Sequence, residues 1–460
     1  MKKEDLLNLR KITSDLEGHP TPRLSFVDVA TGSLGQGLSA AAGMAYAAKY
    51  IEKSPVHFFC ICGDGEMSEG SCWEALLFAW KYKLDNLTLI VDMNKFGQSE
   101  EAPHAHNVEM MADKIRAFGI KTFNVDGHNL PKLIAALEKA RKITDQPTAI
   151  VAKTFKGKYF ADNIEDKPGW HGKALEGEEA KKTIELLQKS IHSEDAKMEP
   201  MKPDKLVVKE PLAKLGPLKL GYKKGDKVAT RNAYGTALKT IGDMSPMIVA
   251  LDGDTKNSTM ALAFATAHKM RFAEGFIAEQ NIMGAAIGMQ ARGFVPFVSA
   301  FAAFHTRSYD FIRMGAISMA NLKVVGSHAG VHIGQDGPSQ MGLEDFAMMR
   351  AVPGSVVLYP SEAVSCENAV LLAANHKGIV YIRTTRGATP VVYSNEEVFE
   401  IGKCKVHKIP DSKPKVTIIA GGVTFQEGKT DYMMNSYESA RAAKRCRCNR
   451  NRCILDQAFG

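Results

Sequence analysis

The sequence has no apolar run of the length that a membrane span needs, and no secretory signal opens it. Cysteine is scarce, with 8 residues in 460, and Cys60, Cys62 and Cys72 lie in or near one apolar segment, as small core residues do. These shortages argue against a membrane protein and a disulfide scaffold. They predict a reduced protein of the cytoplasm with no membrane partner.

The sequence also lacks a large excess of charge of one sign. The formal net charge of +8 depends in part on six Lys and Arg residues among the last twenty positions, so no nucleic-acid partner is predicted. The composition, with 45% hydrophobic and 24% charged residues, is that of a globular protein. A chain of 460 residues has room for about two to four domains.

What is present is organised around residues 56–98. The apolar segment 56–62 predicts a buried strand, the spacing of Trp and Leu over 71–82 predicts a helix, and 87–91 predicts a second strand. Asp64 and Asn94 directly follow the two strands. In a parallel sheet such strand ends lie side by side at the edge where ligands bind, so both side chains are expected at one site.

The residue types at this edge favour a metal ion and a phosphate group. A carboxylate and an amide oxygen suit Mg²⁺, which usually keeps phosphate oxygens among its ligands. Gly63 and Gly65 let the backbone approach a phosphate, and the following helix offers free N–H groups. On this spacing alone, the alternative is that Asp64 and Asn94 serve as a helix cap and a turn residue.

The wider motif resembles that of the transketolases. Gly63-Asp64-Gly65, with Asn94 about thirty residues later, is similar to the thiamine diphosphate signature, and GSLGQGL (32–38) and VDMNKFGQS (91–99) narrow the resemblance to this family. The resemblance implies thiamine diphosphate bound with Mg²⁺, for which Ca²⁺ or Mn²⁺ can substitute. It implies metal ligation by Asp64, Asn94 and Phe96, the last through its backbone carbonyl. The cofactor contacts that it implies are Gly32, Ser33, Leu34, Gly65, Asn94, Lys156, His171, Phe304 and Gln340.

A second motif, IAEQN (277–281), places Glu279 after an apolar strand and before a Gly- and Ala-rich helix predicted over 284–292. A carboxyl group in a poorly solvated site can share a proton with a ring nitrogen, whereas the alternative is a helix N-terminal glutamate stabilised by the dipole. In the transketolase pattern this glutamate promotes the imino form of the coenzyme's pyrimidine, and FAAF (301–304) forms the pyrimidine pocket. The catalytic residues implied are Glu279 and His171, the latter in WHGKAL (170–175).

A dispersed polar set matches the family's substrate positions. Arg231 and Arg386 can fork onto a phosphate, and Asp336 can accept a hydrogen bond from a sugar hydroxyl. The resemblance implies sugar-phosphate substrates and a homodimer with active sites at the subunit interface. The substrate-binding residues that it implies are His171, Arg231, Ser258, His328, Asp336 and Arg386.

The alternation of strands and helices predicts an α/β chain with two doubly wound parallel-sheet domains and a fragment of a third α/β domain. The segment 416–425 is predicted to be a lone strand with an open edge, which lowers stability unless a partner covers it. The predicted boundaries are 1–185 for an N-terminally shortened pyrophosphate-binding domain, 186–226 for a linker, 227–395 for a pyrimidine-binding domain, 396–427 for the start of the C-terminal transketolase domain, and 428–460 for a divergent, disordered tail.

The function predicted from this resemblance is that of a transketolase. Such an enzyme moves a two-carbon ketol unit from a ketose phosphate to an aldose phosphate, in the non-oxidative branch of the pentose phosphate pathway. An alternative is a catalytically impaired paralogue that pairs with a complete subunit, because the family's N-terminal histidines and most of its C-terminal domain have no counterpart. GSLGQGL, IAEQN and the substrate set argue against a third possibility, a deoxyxylulose phosphate synthase or a dehydrogenase component.

Overall fold

A computed structural model of the chain describes residues 3–191, 213–407, 416–429 and 452–459. The chain divides into two compact units. The first unit is residues 33–210, and the second unit combines residues 1–32 with 211–460. Thus the first 32 residues group with the second unit, whereas the sequence predicted them within a domain ending at 185.

The first unit alternates strands and helices around a sheet that is parallel throughout. The strand order is β1-β2-β4-β3, and the central strands β2 and β4 are almost entirely buried. Helix α1 continues directly into a π-helix, Ala47–Glu52. The elements of this unit are α1 Gly37–Tyr46, β1 Phe58–Gly63, α2 Gly70–Lys81, β2 Leu87–Met93, α3 Val108–Ala117, β3 Lys121–Asp126, α4 Leu130–Arg141, β4 Thr148–Lys153 and α5 Gly177–Lys189.

The edge strand β1 is two-faced. Cys60 and Cys62 point into the core and are buried, and Cys72 is buried in α2, which confirms the prediction of small core cysteines. Phe59 and Ile61 alternate with them and are 46% and 71% exposed. Strand periodicity of two puts the cysteines and these two apolar side chains on opposite faces of the sheet.

The second unit holds a larger sheet with the order β13-β15-β10-β11-β9-β8-β6-β7, and β14 pairs with β15. The strands from β10 to β7 in this order are parallel, and a separate antiparallel ribbon joins β12 to β5. The strands are β5 Lys227–Ala229, β6 Ile248–Asp252, β7 Phe272–Glu274, β8 Val295–Phe301, β9 Lys323–Ser327, β10 Val356–Leu358, β11 Val380–Arg383, β12 Ala388–Pro390, β13 Cys404–His407, β14 Val416–Ala420 and β15 Arg452–Phe459. The helices are α6 Thr230–Met244, α7 Lys256–Thr259, α8 Leu262–Ala267, α9 Glu279–Ala291, α10 Tyr309–Ile317, α11 Asp345–Ala351 and α12 Ala363–Asn375.

The core of this unit lies between the sheet and helices α6 and α12. Strands β6 and β9 are fully buried and β8 is buried up to Phe301, as expected of parallel strands covered on both faces. Tyr234 and Phe264 are among the largest side chains with no exposed surface. The two parallel sheets confirm the predicted α/β class with doubly wound domains.

The predicted linker, 186–226, differs from the structure in its second half. Residues 192–212 lie outside the described residues, but residues 213–226 pack on the second unit. Leu215 exchanges two backbone hydrogen bonds with the Asn375 side chain, at 2.8 and 3.0 Å, and Tyr222 does the same with Asn395 at 3.1 and 2.9 Å. Leu215, Leu218, Leu220 and Tyr222 anchor the segment to the core, so it is part of the unit.

At the C-terminal end, the structure describes residues 416–429 and 452–459. Residues 430–451 of the predicted disordered tail lie outside the described residues. Residues 452–459 form β15, which pairs in parallel with β14 and antiparallel with β13 and β10. The strand predicted over 416–425 ends at Ala420 and is followed by a helical segment at 423–429, so β14 is shorter than predicted and is not alone.

None of the helices in the described ranges is long and apolar enough to cross a membrane.

Candidate coenzyme and substrate site

The first part of the site lies where β1 and β2 end. The register pairs Gly63 with Asp92, so both strands stop at one edge of the sheet, with Asp64 after β1 and Asn94 after β2. Asp64 is only 3% exposed, and its carboxylate accepts hydrogen bonds from the backbone N–H groups of Gly65 at 2.9 Å and Lys95 at 2.8 Å. The structure therefore brings the two predicted side chains to adjacent strand ends.

The electrostatics of this edge favour a cation. Burial raises the pKa of the Asp64 carboxyl and the nearby Asp92 adds to this, although the two backbone N–H donors act in the opposite direction. Asn94 donates to Asp92 at 3.0 Å, and its side-chain oxygen accepts from the backbone N–H of Phe96 at 3.1 Å. A bound cation would favour the charged form of a carboxyl group that burial disfavours.

The ligand types at this edge suit a hard ion. Within the described ranges, no group of three or more His, Cys, Asp and Glu side chains comes together to hold a metal. A cation at Asp64 would therefore need amide or carbonyl oxygens and the oxygens of its own ligand. Mg²⁺ is bound in this way, through one or two carboxylates together with phosphates.

A carboxylate that the sequence interpretation missed joins this edge to the glycine loop. Glu66 accepts from the backbone N–H of Gly35 at 2.8 Å and from that of Gly63 at 3.1 Å. Gly35 has φ +81° and packs against Glu69, whose Cβ would lie 2.6 Å from an added Cβ. The sequence signal that could have identified Glu66 is its position directly after Gly63-Asp64-Gly65, where glycine-rich segments offer free backbone N–H groups to a carboxylate.

The predicted loop contacts are placed as follows. Gly32, with φ +118°, belongs to the second unit, whereas Ser33 and the 61% exposed Leu34 belong to the first. Their contacts with a cofactor stay predictions. Lys156 and His171 come together in the first unit, with Nζ and Nδ1 3.4 Å apart.

The loop that carries Lys156 is held by two histidines. The backbone N–H of Phe155 donates to Nε2 of His128 at 2.8 Å, and His106 Nε2 lies 2.9 Å from the Thr154 carbonyl oxygen. These bonds fix the backbone on the N-terminal side of Lys156. A cation and an imidazole are thereby presented together at the surface.

In the second unit, Glu279 is the first residue of α9 and is 5% exposed. The helix starts at Glu279 and not at 284 as predicted, because β7 ends at Glu274 and the polar residues 279–281 occupy the first helical turn. This position also fits the alternative of a glutamate at the positive end of the helix dipole. Its carboxylate lies 3.2 Å from Nη1 of Arg307, which the sequence interpretation did not include.

Aromatic rings are stacked at the end of β8. The rings of Phe301 and Phe304 are 5.1 Å apart and inclined by 8°, and His328 stacks on Phe301 at 3.9 Å. Phe301 therefore lies between the other two rings. The stack connects the predicted pyrimidine pocket to the predicted substrate residues.

Three of the predicted substrate residues form one cluster. Arg231 donates to the Ser258 carbonyl at 2.9 Å and lies 3.3 Å from Nε2 of His328, while Ser327 Oγ is 2.9 Å from Nδ1 of the same ring. Burial, and then the charges of Arg231 and Arg386, lower the pKa of His328 to about 4. His328 is thus neutral at physiological pH, with Nε2 as the acceptor and Nδ1–H facing Ser327.

Arg386 and Asp336 form the next pair. Arg386 Nη1 donates to the Ile333 carbonyl at 3.2 Å and lies 3.4 Å from Asp336 Oδ1. With its amide oriented to satisfy both neighbours, Gln335 accepts from both terminal nitrogens of Arg386, at 3.1 and 3.2 Å. Gln340 is half-buried a few residues further on, with Ser339 as a weak partner at 3.5 Å.

Comparison with known proteins identifies two families along the chain. Residues 1–193 match the family described as "Transketolase, thiamine diphosphate binding domain", and residues 226–391 match "Transketolase, pyrimidine binding domain". The two matches contain Asp64 and Glu279, respectively.

Individual relatives agree with these family matches. The chain is 52% identical over 426 residues to "Transketolase-like protein 2" of Mus musculus and 50% identical over 425 residues to "Transketolase" of Homo sapiens. Each alignment covers 92% of this chain and 67% of the relative. The solved structure of transketolase from Campylobacter jejuni superposes with a TM-score of 0.74 at 23% identity, over 99% of this chain and 75% of that one, which shows a shared fold.

Proposed function

Because this chain belongs to the transketolase family, we propose that it transfers a two-carbon ketol unit from a ketose phosphate to an aldose phosphate, with thiamine diphosphate and Mg²⁺. The transketolase class of enzyme and a thiamine diphosphate-binding domain follow from the family. The finer parts of the proposal are the metal, the substrates, the pentose phosphate pathway, the cytoplasm and a homodimer with its active sites at the subunit interface. The observation that carries the proposal is the pair Asp64 and Asn94 at adjacent strand ends.

The diphosphate and metal end of the coenzyme is assigned to the first unit. Asp64, Asn94 and the Phe96 carbonyl would hold the cation, which compensates the buried carboxylate. Gly65 supports this role, because a Cβ there would lie 3.4 Å from the Gly97 backbone, in a turn where the chain approaches itself closely. Lys156, with His171 beside it, is proposed to add positive charge near the diphosphate. Ser33 and Leu34, with Gly32 before them, are proposed as contacts of the same coenzyme.

The pyrimidine end is assigned to Glu279 and Phe304. Glu279 is buried and would share a proton with a ring nitrogen, while Phe304 would stack on the ring; Gln340 is proposed as a further contact. When bound, the coenzyme supplies a thiazolium that stores the electron pair released by cleavage of the donor sugar. The chain's own residues would position the coenzyme and the substrate, exclude water, and hold a proton at the Glu279 carboxyl.

The phosphorylated substrate is assigned to the cluster in the second unit. Arg231 and Arg386 each face a neutral or weakly held partner, so both can turn toward a phosphate. His328 is neutral and adds a polar ring without repelling the two guanidinium groups. Ser258, in helix α7, lies beside Arg231, which donates to its backbone carbonyl. Asp336 can accept from a sugar hydroxyl.

The test is a turnover assay on the 460-residue chain. The purified protein is supplied with thiamine diphosphate and Mg²⁺, and the conversion of a mixture of pentose phosphates is followed. Product formation is expected. Coenzyme binding without turnover would instead favour the impaired paralogue.

The Glu279→Gln variant sharpens this assay. The amide has nearly the same shape as the carboxyl group but cannot share a proton, so activity should fall by at least ~100-fold. Activity of Glu279→Gln close to that of the wild type would show that the proton is held elsewhere. The matched control is Glu344→Gln, at an exposed position before α11, for which no change is expected.

A further inference from the structure

Arg307 occupies a position that the proposed function does not explain. It follows the short 3₁₀ turn Phe304–Thr306, and its Nη1 lies 3.2 Å from Oε2 of Glu279. The two side chains differ sharply in exposure, with 64% for Arg307 and 6% for Glu279. An exposed cation therefore reaches inward to a buried carboxylate.

Breaking this ion pair costs the two residues different amounts of free energy. A buried carboxylate without a partner is costly, so Glu279 gains from the contact. Arg307 gains little, because its guanidinium is largely in water and the contact is a single one, with one nitrogen on one oxygen. Across the described ranges no other side chain or backbone group is hydrogen-bonded to this carboxylate.

His305 on the same turn does not supply a second charge to Glu279. His305, two residues earlier, is buried, and burial lowers its pKa, so the ring is neutral. Its Nε2 donates to the Val325 carbonyl at 3.0 Å. Arg307 is therefore the ion-pair partner of Glu279 among the described residues.

The pair also involves the two residues to which the proposed function assigns the pyrimidine ring, Glu279 directly and Phe304 through the turn that Arg307 follows. Phe304, on which the ring would stack, begins the turn that Arg307 follows, and the arginine side chain crosses from this turn to Glu279. A ring that stacks on Phe304 and bonds Glu279 would approach the same carboxylate whose Oε2 Arg307 contacts.

We propose that Arg307 competes with the aminopyrimidine of the coenzyme for Glu279, so that binding of thiamine diphosphate displaces the arginine. This inference rests on the proposed function, in which Glu279 receives the pyrimidine. Arg307 is then a positioning residue: it compensates the carboxylate while the coenzyme is absent and lowers the affinity of the site for it.

The test is calorimetric titration of the Arg307→Gln variant, with two ligands in the presence of Mg²⁺. Thiamine diphosphate carries the pyrimidine, whereas inorganic diphosphate lacks it. Removing the arginine should tighten thiamine diphosphate binding by roughly two- to fivefold, the range of a partly exposed ion pair, and leave diphosphate binding unchanged. Arg307→Lys should fall between the variant and the wild type.

The matched control is Arg313→Gln on α10, which removes an exposed arginine paired with Asp310 at 2.5 Å. Neither ligand should bind it differently from the wild type. Equal or weaker thiamine diphosphate binding by Arg307→Gln, with normal binding by the wild type, would overturn this inference alone. Failure of the wild type to bind thiamine diphosphate would overturn the proposed function and this inference with it.

Discussion

Two aspartates end parallel strands in the two units, and their surroundings are opposite. Asp64 follows β1 in a Gly-Asp-Gly sequence, and Asp252 ends β6 in an Asp-Gly-Asp sequence. Both are buried. Asp64 accepts only backbone N–H groups, from Gly65 and Lys95, whereas Asp252 accepts two hydroxyl groups and one backbone N–H.

The difference separates a proposed metal ligand from an anchor. Thr255 donates to Asp252 through its N–H at 2.6 Å and its hydroxyl at 3.0 Å, and the hydroxyl of Thr259 adds a third bond at 2.7 Å. Asp252 has no exposed surface, and its bonds hold the loop that presents Ser258 to Arg231. Asp64 is the residue proposed to hold a cation, so similar strand-end motifs would serve a metal in one case and fix the short helix α7 in the other.

The largest effect is expected for Asp64→Asn. Loss of the negative charge removes the ligand that holds the cation, so Mg²⁺-dependent binding of thiamine diphosphate should fall below calorimetric detection. Asp113→Asn, on the exposed face of α3, is the control that should bind normally. If Asp64→Asn bound the coenzyme as the wild type does, the distinction between ligand and anchor would fail.

Asp252, the anchor, should affect the free energy of unfolding and leave coenzyme binding unchanged. Burial raises the pKa of Asp252 to about 7, above the value near 4 of an unfolded aspartate, so the unfolded chain releases this proton first. The contribution of Asp252 is therefore present below pH 4 and is lost as the pH rises through 7, by ~4 kcal/mol at most.

Asp252→Asn tests this behaviour, because asparagine can keep one acceptor for the Thr255 N–H and donate to the Thr259 hydroxyl. Urea unfolding at a series of pH values should show a smaller fall in the free energy of unfolding between pH 4 and 7 than in the wild type. Identical pH profiles would mean that Asp252 is not the group that titrates, and the affinity for thiamine diphosphate should stay unchanged.

The smallest effect is expected for Thr259→Val, which removes one hydroxyl from Asp252 at almost constant volume. The short helix α7, which carries Ser258, should loosen, so the KM for the sugar phosphate should rise by several-fold while coenzyme affinity is retained. Thr266→Val is the control, because its hydroxyl bonds only the preceding helical turn at the Leu262 carbonyl. If Thr259→Val changed the affinity for the coenzyme and left the KM unchanged, the assignment of this segment to the sugar-phosphate substrate would be wrong.

The same contrast explains what the sequence could predict. Asp64 and Asn94 lie in one short stretch of strand, helix and strand, so hydrophobic periodicity alone was enough to bring them together. Arg231, His328 and Arg386 come from distant segments, and no local pattern joins them; only the resemblance to a family grouped them before the structure did.

What escaped prediction depends on tertiary contacts. Arg307 makes one contact with a carboxylate, and the carboxylate of Glu66 accepts two backbone N–H groups; neither leaves a periodic trace in the sequence. The segment 213–226 was interpreted as a linker because its apolar residues are widely spaced, yet Leu215 and Tyr222 are fixed by asparagine side chains more than a hundred positions away. The start of helix α9 was predicted too late, at residue 284, because its first turn at 279–281 is polar and the prediction relied on the spacing of apolar residues.

The backbone at His328 has a consequence for anyone who tries to make this protein more heat-resistant. Its φ of +56° is a conformation that asparagine and glycine adopt more readily than histidine. Laboratory evolution that selects for thermal tolerance alone would therefore favour these residues at position 328 and discard the imidazole between Phe301 and Arg231. Heat resistance gained there would remove the side chain that is proposed to contact the sugar phosphate, so libraries for this protein should leave that codon fixed.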